Sequence, residues 1–266
     1  MAITAKDVMA LRQRTGLGMM DCKAALEETG GDAEAAVELL RKKLKGKMDE
    51  RTDRSAAEGA IAVATNGKAA VMIELNAETD FAARNDGFVG AAQKIAELGV
   101  AAPGTDFAVT PAMTELVDQL RITIKENISI RRGVKVASEK IGFYIHHNRK
   151  LGVIVAAEGP AEDELLTGVC QHITAYVPTP SSIDETGLDP AAKAKALADA
   201  KQEAIDSGKP EQIAEKIAQG KYKKWVDDHT LLGQPYVKDM ENKKTVGQTL
   251  PKGVKLTTFV RYAVGL

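Results

Sequence analysis

One short pattern occurs twice in this chain, and it does most to limit the fold. The first copy runs Gly59-Ala60-Ile61-Ala62-Val63, then Asn66-Gly67-Lys68, then Val71-Met72-Ile73-Glu74-Leu75. The second runs Gly142-Phe143-Tyr144-Ile145-His146, then Asn148-Arg149-Lys150, then Val153-Ile154-Val155-Ala156-Ala157. Each copy reads as two strands around a tight turn, and Asn-Gly supplies the positive φ angles that such turns require. A helix-like run follows each, Phe88 to Leu98 and Glu162 to Thr174. Two hairpins with helices attached predict an α+β core of two similar subdomains. The repeat is imperfect, and hairpin–helix units can share a pattern without a common origin.

The remainder divides around that core. Residues 1–45 read as a small helical unit. Thr4 and Asp7 can form a capping box, and Val8 and Leu11 share a face. Thr15-Gly16-Leu17-Gly18 breaks the first helix. Asp21 is the expected cap of a second, which ends at Gly30-Gly31, and Asp32 that of a third, with Ala36, Val37 and Leu40 inward. The chain is densely charged from Arg41 to Arg54, which predicts a solvated helix end and a linker over 46–58. Residues 59–140 and 141–183 hold the two hairpin units. In the first, Pro111 suits a helix start, and Met113, Leu116, Leu120 and Ile124 follow at helical spacing. Residues 184–229 predict two antiparallel helices, with Ala194, Leu197 and Ile205 on one face, a turn at Ser207-Gly208-Lys209-Pro210, and Ile213, Ile217 and Trp225 beyond. Residues 230–266 return to the second subdomain, where alternating Thr258, Val260, Tyr262 and Val264 predict a last strand from Leu256 to Val264.

Composition narrows the function by exclusion. A chain of 266 residues can hold two or three domains. Its 36 basic and 37 acidic residues give no overall argument for nucleic acid or an anionic membrane. Two cysteines, Cys22 and Cys170, are too few for a disulfide framework, which favours a reducing compartment. The first residues have no apolar signal core, and the uncharged stretch Leu165 to Ile183 is broken by Gly168, Pro178 and Pro180. A cytoplasmic protein is expected.

Chemistry is conspicuously thin. Gly46-Lys47, Gly67-Lys68, Gly208-Lys209 and Gly220-Lys221 all lack the Ser or Thr that completes a phosphate-binding loop. His146 and His147 are adjacent, and on a strand they would point to opposite faces, which disfavours a shared metal ion. Cys170 and His172 lie in a helix-like run. Asp184, Glu185 and Asp189 read as a loop and a helix cap. No catalytic residue, metal site, cofactor or direct nucleotide binding is expected.

What remains is binding. Asp80 and Phe81 follow a strand and precede the helix expected from Phe88, so they are read as a loop on a stiff support. A ring at a loop tip performs no chemistry but can enter a pocket on another protein. His147, just before the second turn, is either an exposed strand-end residue or a second contact on the same edge. Two weaker readings are a general adaptor acting through the N-terminal unit, and an RNA-associated module built on Arg41–Arg54 and Arg131-Arg132.

Several segments resemble one family. Thr15-Gly16-Leu17-Gly18-Met19-Met20-Asp21-Cys22-Lys23-Ala24-Ala25-Leu26 and Glu78-Thr79-Asp80-Phe81-Ala82-Ala83-Arg84-Asn85 are similar to the two signatures of bacterial elongation factor Ts. Glu126-Asn127-Ile128-Ser129-Ile130-Arg131-Arg132, Tyr144 with His147, Gly208-Lys209-Pro210, Gln234-Pro235-Tyr236-Val237, Thr245-Val246-Gly247-Gln248 and Phe259-Val260-Arg261-Tyr262 also fit, in order along nearly the whole chain. Ala82 stands where valine is frequent, and Leu17 where alanine is. The resemblance implies a guanine nucleotide exchange factor for the GTPase elongation factor Tu. It implies a ubiquitin-associated-like three-helix bundle, a core whose first half is of the dimerisation type, and an antiparallel coiled-coil hairpin. It places Asp80, Phe81, Ala82 and Ala83 near the partner's magnesium site, with His147, Leu11, Met19 and Met20 as further contacts. A homodimer or a 2:2 complex is compatible with it; nucleic-acid and membrane binding are not expected.

Overall fold

The computed structural model describes residues 3–49, 54–206, 208, 210–239, 241 and 244–266. Both predicted hairpins are present. Strands β1 (Glu58–Thr65) and β2 (Ala69–Ala77) pair antiparallel, as do β4 (Lys140–Ile145) and β5 (Leu151–Glu158). Each hairpin gains a third strand on its second member. The predicted last strand, β6 (Lys255–Ala263), pairs with β5. Strand β3 (Ser129–Ala137) pairs with β2 and was not foreseen as a strand. Its Arg131-Arg132-Gly133 core hides the usual pattern. Arg132 Nε reaches Glu74 Oε2 at 2.7 Å, and the ring of Phe107 covers Gly133 so closely that a Cβ there would lie 2.4 Å from it.

The two sheets stack face to face. Ile61, Val63, Ala70, Met72 and Val136 of the first pack against Ile154 and Ala156 of the second. The opposite face of the first sheet, with Ala60, Ala62, Val71, Ile73 and Leu75, takes helices α5 (Asp86–Ala101) and α6 (Pro111–Ile124). The opposite face of the second takes α7 (Asp163–Ala175) through Leu166, Val169 and Ile173. Strands β1, β2 and β5 are thus covered on both sides, which is why they read as near-continuous apolar runs. This is a mixed α+β architecture.

The N-terminal unit consists of α1 (Ala5–Thr15), α2 (Met19–Glu28) and α3 (Ala33–Asp49). Thr4 and Asp7 form the capping box, and Gly16 ends α1 at φ 69°. Asp32 Oδ1 accepts the N–H groups of Glu34 and Ala35 at 2.9 and 3.1 Å, capping α3. Asp21 is not a cap: Gly18 holds that position, and Asp21 lies in the first turn of α2. Helix α3 is longer than expected and runs through the proposed start of the linker. Glu50, Arg51, Thr52 and Asp53, the centre of the expected linker, lie outside the described residues.

Helices α8 (Pro190–Asp206) and α9 (Glu211–His229) pack on each other in opposite directions. The contact face differs from the expected one. Ala194 and Ile205 are exposed, as is Ile213, while Ala200 and Ala204 meet Ala214 and Ala218, with Ile217 beside them. Methyl groups let the backbones approach, so the larger residues are left on the outside. Lys221 and Glu203 close an ion pair across the two helices. The predicted turn includes Ser207 and Lys209, which lie outside the described residues. Asp184 and Asp189 cap a short helical turn and α8, as the loop-and-cap reading expected. Among the described residues, no helix is long and apolar enough to cross a membrane.

Candidate partner-binding site

Strand β2 ends at Ala77, and Asp80–Ala83 forms a single helical turn, α4. The expected loop is therefore a helix, and α5 begins at Asp86 instead of Phe88. Thr79 supplies the reason. Its backbone is extended (φ −124°, ψ 155°), and its hydroxyl accepts the N–H of Ala82 at 3.2 Å, a standard N-cap. Asn85 caps α5 in the same way, through Gly87 N–H at 2.9 Å. Two caps six residues apart in the chain turn what periodicity alone reads as loop into two short-coupled helices.

The turn is divided between core and solvent. Ala82 and Ala83 are buried in the cluster beneath α5. Phe81 is 84% exposed, a large apolar ring on an anchored backbone. Asp80 pairs with Arg84 at 3.0 Å, one helical turn on. Ala82 and Ala83 thus form the floor of the segment, and Phe81 and Asp80 form its outer surface.

A cleft of about 550 Å³ joins this turn to the second hairpin. Asp80, Ala83 and Arg84 line one wall; His147, Arg149 and Lys150 line the other. His147 is exposed. Strand β4 ends at Ile145, so His146 and His147 lie in the turn and not on the strand. Their rings consequently sit 4.3 Å apart, which corrects the expectation that they point to opposite faces. His146 is engaged with the Tyr144 hydroxyl at 3.2 Å. Among the described residues, no group of three or more His, Cys, Asp or Glu side chains can hold a metal ion.

The two halves of the cleft are braced. Arg149 has a left-handed backbone (φ 56°), and its carbonyl accepts the N–H of Ile61 at 2.7 Å. Lys150 Nζ donates to Glu58 Oε2 at 2.6 Å. On the other flank, Thr79 is held by Glu126, whose carboxylate accepts both its N–H and its hydroxyl at 3.0 and 2.6 Å. Arg84, Glu126, Arg149 and Lys150 were assigned no role from sequence. Lys150 and Arg149 carried a signal as turn residues of the repeat, and Glu126 as part of a family-like segment.

The N-terminal residues separate. Met20 is 75% exposed and Met19 41% exposed on α2, so both are available to a partner. Leu11 is only 1% exposed. It packs with Val8, Leu26 and Ile122 inside the bundle, so it is a core residue and not the exposed contact expected of it. The basic pair Arg131-Arg132 is also not a free patch: both approach the fully buried Glu74, at 3.5 and 2.7 Å, and Arg132 lies 4.3 Å over the ring of Tyr262. That arrangement removes half of the reason for an RNA-associated reading.

His172 and Cys170 lie elsewhere, in the core of the second subdomain. The His172 Nδ1 atom accepts the N–H of Val237 at 3.3 Å, so Nε2 carries the proton and donates to Gln234 Oε1 at 2.9 Å. Burial depresses the His172 pKa below its ordinary value, partly offset by Gln234. Burial pushes the Cys170 thiol up to about 12, leaving it inert at neutral pH.

Comparison with known proteins gives the family. A family model described as "Elongation factor TS" matches residues 78–266, a span that holds α4, most of the cleft lining, β3 and the whole second sheet, but neither β1 nor β2. The "Elongation factor Ts" of Alkalilimnicola ehrlichii is 41% identical over 277 positions, covering 100% of this chain and 93% of that protein. Those of Methylococcus capsulatus and Dinoroseobacter shibae are 42% and 41% identical, each again spanning 100% of this chain and 93% of the relative. With the similarity running end to end, the chain belongs to the elongation factor Ts family.

Proposed function

We propose that this protein is the guanine nucleotide exchange factor of elongation factor Tu in translation elongation, and that Phe81 is the group that disturbs the partner's magnesium site. The observation that carries the reading is Phe81 itself: an almost fully exposed ring on a capped turn whose neighbours Ala82 and Ala83 are fixed in the core. A wedge must be exposed before binding and stiff when pressed, and this residue combines the two.

The energetics are of the right size. Exchange requires tighter binding to the nucleotide-free partner than to the GDP-bound one, and the coupling is reciprocal. Loosening GDP 100-fold needs about 2.7 kcal/mol of differential binding. A phenylalanine burying about 150 Å² contributes about 3–4 kcal/mol gross. One ring suffices if its pocket opens only in the disturbed state. Asp80 brings a carboxylate towards the phosphates and their acidic neighbours, which opposes nucleotide retention; Arg84 tempers that charge until the partner competes for it.

In this reading His147 makes a second contact across the cleft, and Met19 and Met20 extend the surface onto the N-terminal bundle, residues 1–45, taken as ubiquitin-associated-like. The helix pair of residues 184–229 is a coiled-coil arm reaching another part of the partner. The protein catalyses no covalent step, needs no cofactor, and works in the cytoplasm. Release of fluorescent GDP from elongation factor Tu is the test. Wild-type chain should accelerate it, and folded Phe81→Ala should lower the stimulated rate about tenfold or more. A wild-type rate from that variant refutes the wedge.

A further inference from the structure

The end of β2 and the loop between α6 and β3 hold each other through exchanged carboxylates. Glu126 accepts two hydrogen bonds from Thr79, one from the backbone N–H and one from the hydroxyl. In return, Glu78 Oε1 accepts the backbone N–H of Asn127 at 2.7 Å. The Asn127 side-chain amide also donates to the Arg54 carbonyl at 2.8 Å. The Thr79 hydroxyl has a single proton, and it points to Glu126. That choice turns the oxygen lone pairs towards the Ala82 N–H, so Glu126 sets the rotamer of the cap that starts α4. The same loop follows α6, whose Ile122 completes the core of the N-terminal bundle, and Lys125 approaches Asp21 of α2 at 3.8 Å.

We propose that Glu126 is a positioning residue for nucleotide exchange: it fixes the direction of α4, and hence of Phe81, relative to the bundle that carries Met19 and Met20. The proposal rests on reading Phe81 as the partner contact. Glu126 acts through Thr79 and needs no contact with the partner. The role requires two acceptor oxygens with a common direction. Glutamine retains one of them, and alanine neither.

Two measurements on the full chain test this, each with Glu126→Ala, Glu126→Gln and Thr79→Val. The first is amide hydrogen exchange of the free protein. The amides of Ala82, Ala83 and Arg84 should exchange about tenfold faster in Glu126→Ala, with Glu126→Gln between it and wild type, because a cap and a charge-assisted bond are lost together. Amides of β2 and β5 should be unchanged. The second is stimulated GDP release at saturating factor. Its maximal rate should fall about threefold to tenfold, with glutamine partly restoring it, while the thermal midpoint falls by no more than about 5 °C and the chain stays folded at the assay temperature. Thr79→Val should mimic Glu126→Ala, and the double variant should be no worse than the poorer single one. Unchanged protection at Ala82–Arg84 in both Glu126→Ala and Thr79→Val overturns the clasp, whatever exchange does. Faster amides with a wild-type maximal rate overturn its role in exchange. If Phe81→Ala also exchanges like wild type, it is the wedge reading that has failed, and the amide data still decide whether the clasp exists.

Discussion

Ile61 in β1 donates its backbone N–H to the carbonyl of Arg149, in the turn of the second hairpin, at 2.7 Å. This bond links one copy of the repeated pattern to the other outside either sheet. Beside it, Lys150 and Glu58 add an ion pair at 2.6 Å, and the Lys150 carbonyl accepts the N–H of Val264 at 2.9 Å. The turn that carries His147 is therefore held against β1, the strand paired to the one leading into α4. Two segments distant in sequence become the walls of one cleft because the sheets stack through Ile61, Met72 and Ile154, and this backbone bond with its flanking ion pair ties the turn to that stack.

Replacing Lys150 by methionine tests that brace. The pair is half-exposed, so global stability should change by less than about 1 kcal/mol. The turn would still keep its bond from Ile61. Stimulated GDP release should fall about twofold to threefold through the His147 wall, and Glu58→Gln should do the same. A stopped-flow comparison at fixed partner concentration reads it; wild-type rates from both variants would show that the brace is ornamental.

His147→Ala should reduce exchange less than Phe81→Ala, by about threefold, because a polar ring on the turn buries less apolar area than the benzyl group. His147 lines the cleft across from Asp80, Ala83 and Arg84 of α4, the turn that carries Phe81. The two effects on the logarithm of the rate should therefore add in the double variant. Strong non-additivity in that cycle would mean that one residue positions the other.

The hairpins and the last strand were legible because both faces of β1, β2 and β5 are buried, and apolar runs flanked by turn residues leave few alternatives. Strand β3 was not. Arg131 and Arg132 break its apolar pattern, and their partner is Glu74, a residue 57 and 58 positions away whose burial is a tertiary fact. The helix pair was legible in extent but not in facing, since periodicity favours the larger Leu197 and Ile205 over Ala200 and Ala204, whereas close packing favours the methyl groups. At the candidate site, Phe81 and His147 are exposed as their reading requires, whereas Leu11 shares a face with Val8, is read as a contact only from the family resemblance, and is buried. The roles of Glu126 and Arg149 depend on long-range hydrogen bonds that no local pattern encodes.

Gly142 opens the second copy of the pattern, and its lack of a side chain is a packing requirement. A Cβ at that position would stand 2.3 Å from Leu166 Cβ and 2.9 Å from the Leu166 carbonyl carbon. Helix α7 would have to lift from β4. Gly142→Ala should cost about 1–3 kcal/mol, read as a lowered urea midpoint with an unchanged slope. Because α4 belongs to the other subdomain, exchange below the unfolding transition should stay near wild type.

Acid should weaken the second subdomain through His172. Its folded-state pKa is held below the ordinary histidine value, chiefly by burial, while the unfolded chain takes its proton normally. Between those two values the unfolded state binds more protons, so stability rises with pH across the window. The contribution is complete above about pH 6.5 and is lost as pH falls below it, at no more than about 1.4 kcal/mol per pH unit. The structural cause is specific: a proton on Nδ1 would face the Val237 N–H that it now accepts, and Gln234 is fixed by its own bonds to the Pro178 and Asp228 carbonyls at 2.9 and 2.6 Å. Urea midpoints at pH 7.5 and 5.5 should therefore differ for wild type. His172→Gln should be less stable at pH 7.5 and show a flatter pH dependence. An equal slope in that variant would assign the acid sensitivity to other groups.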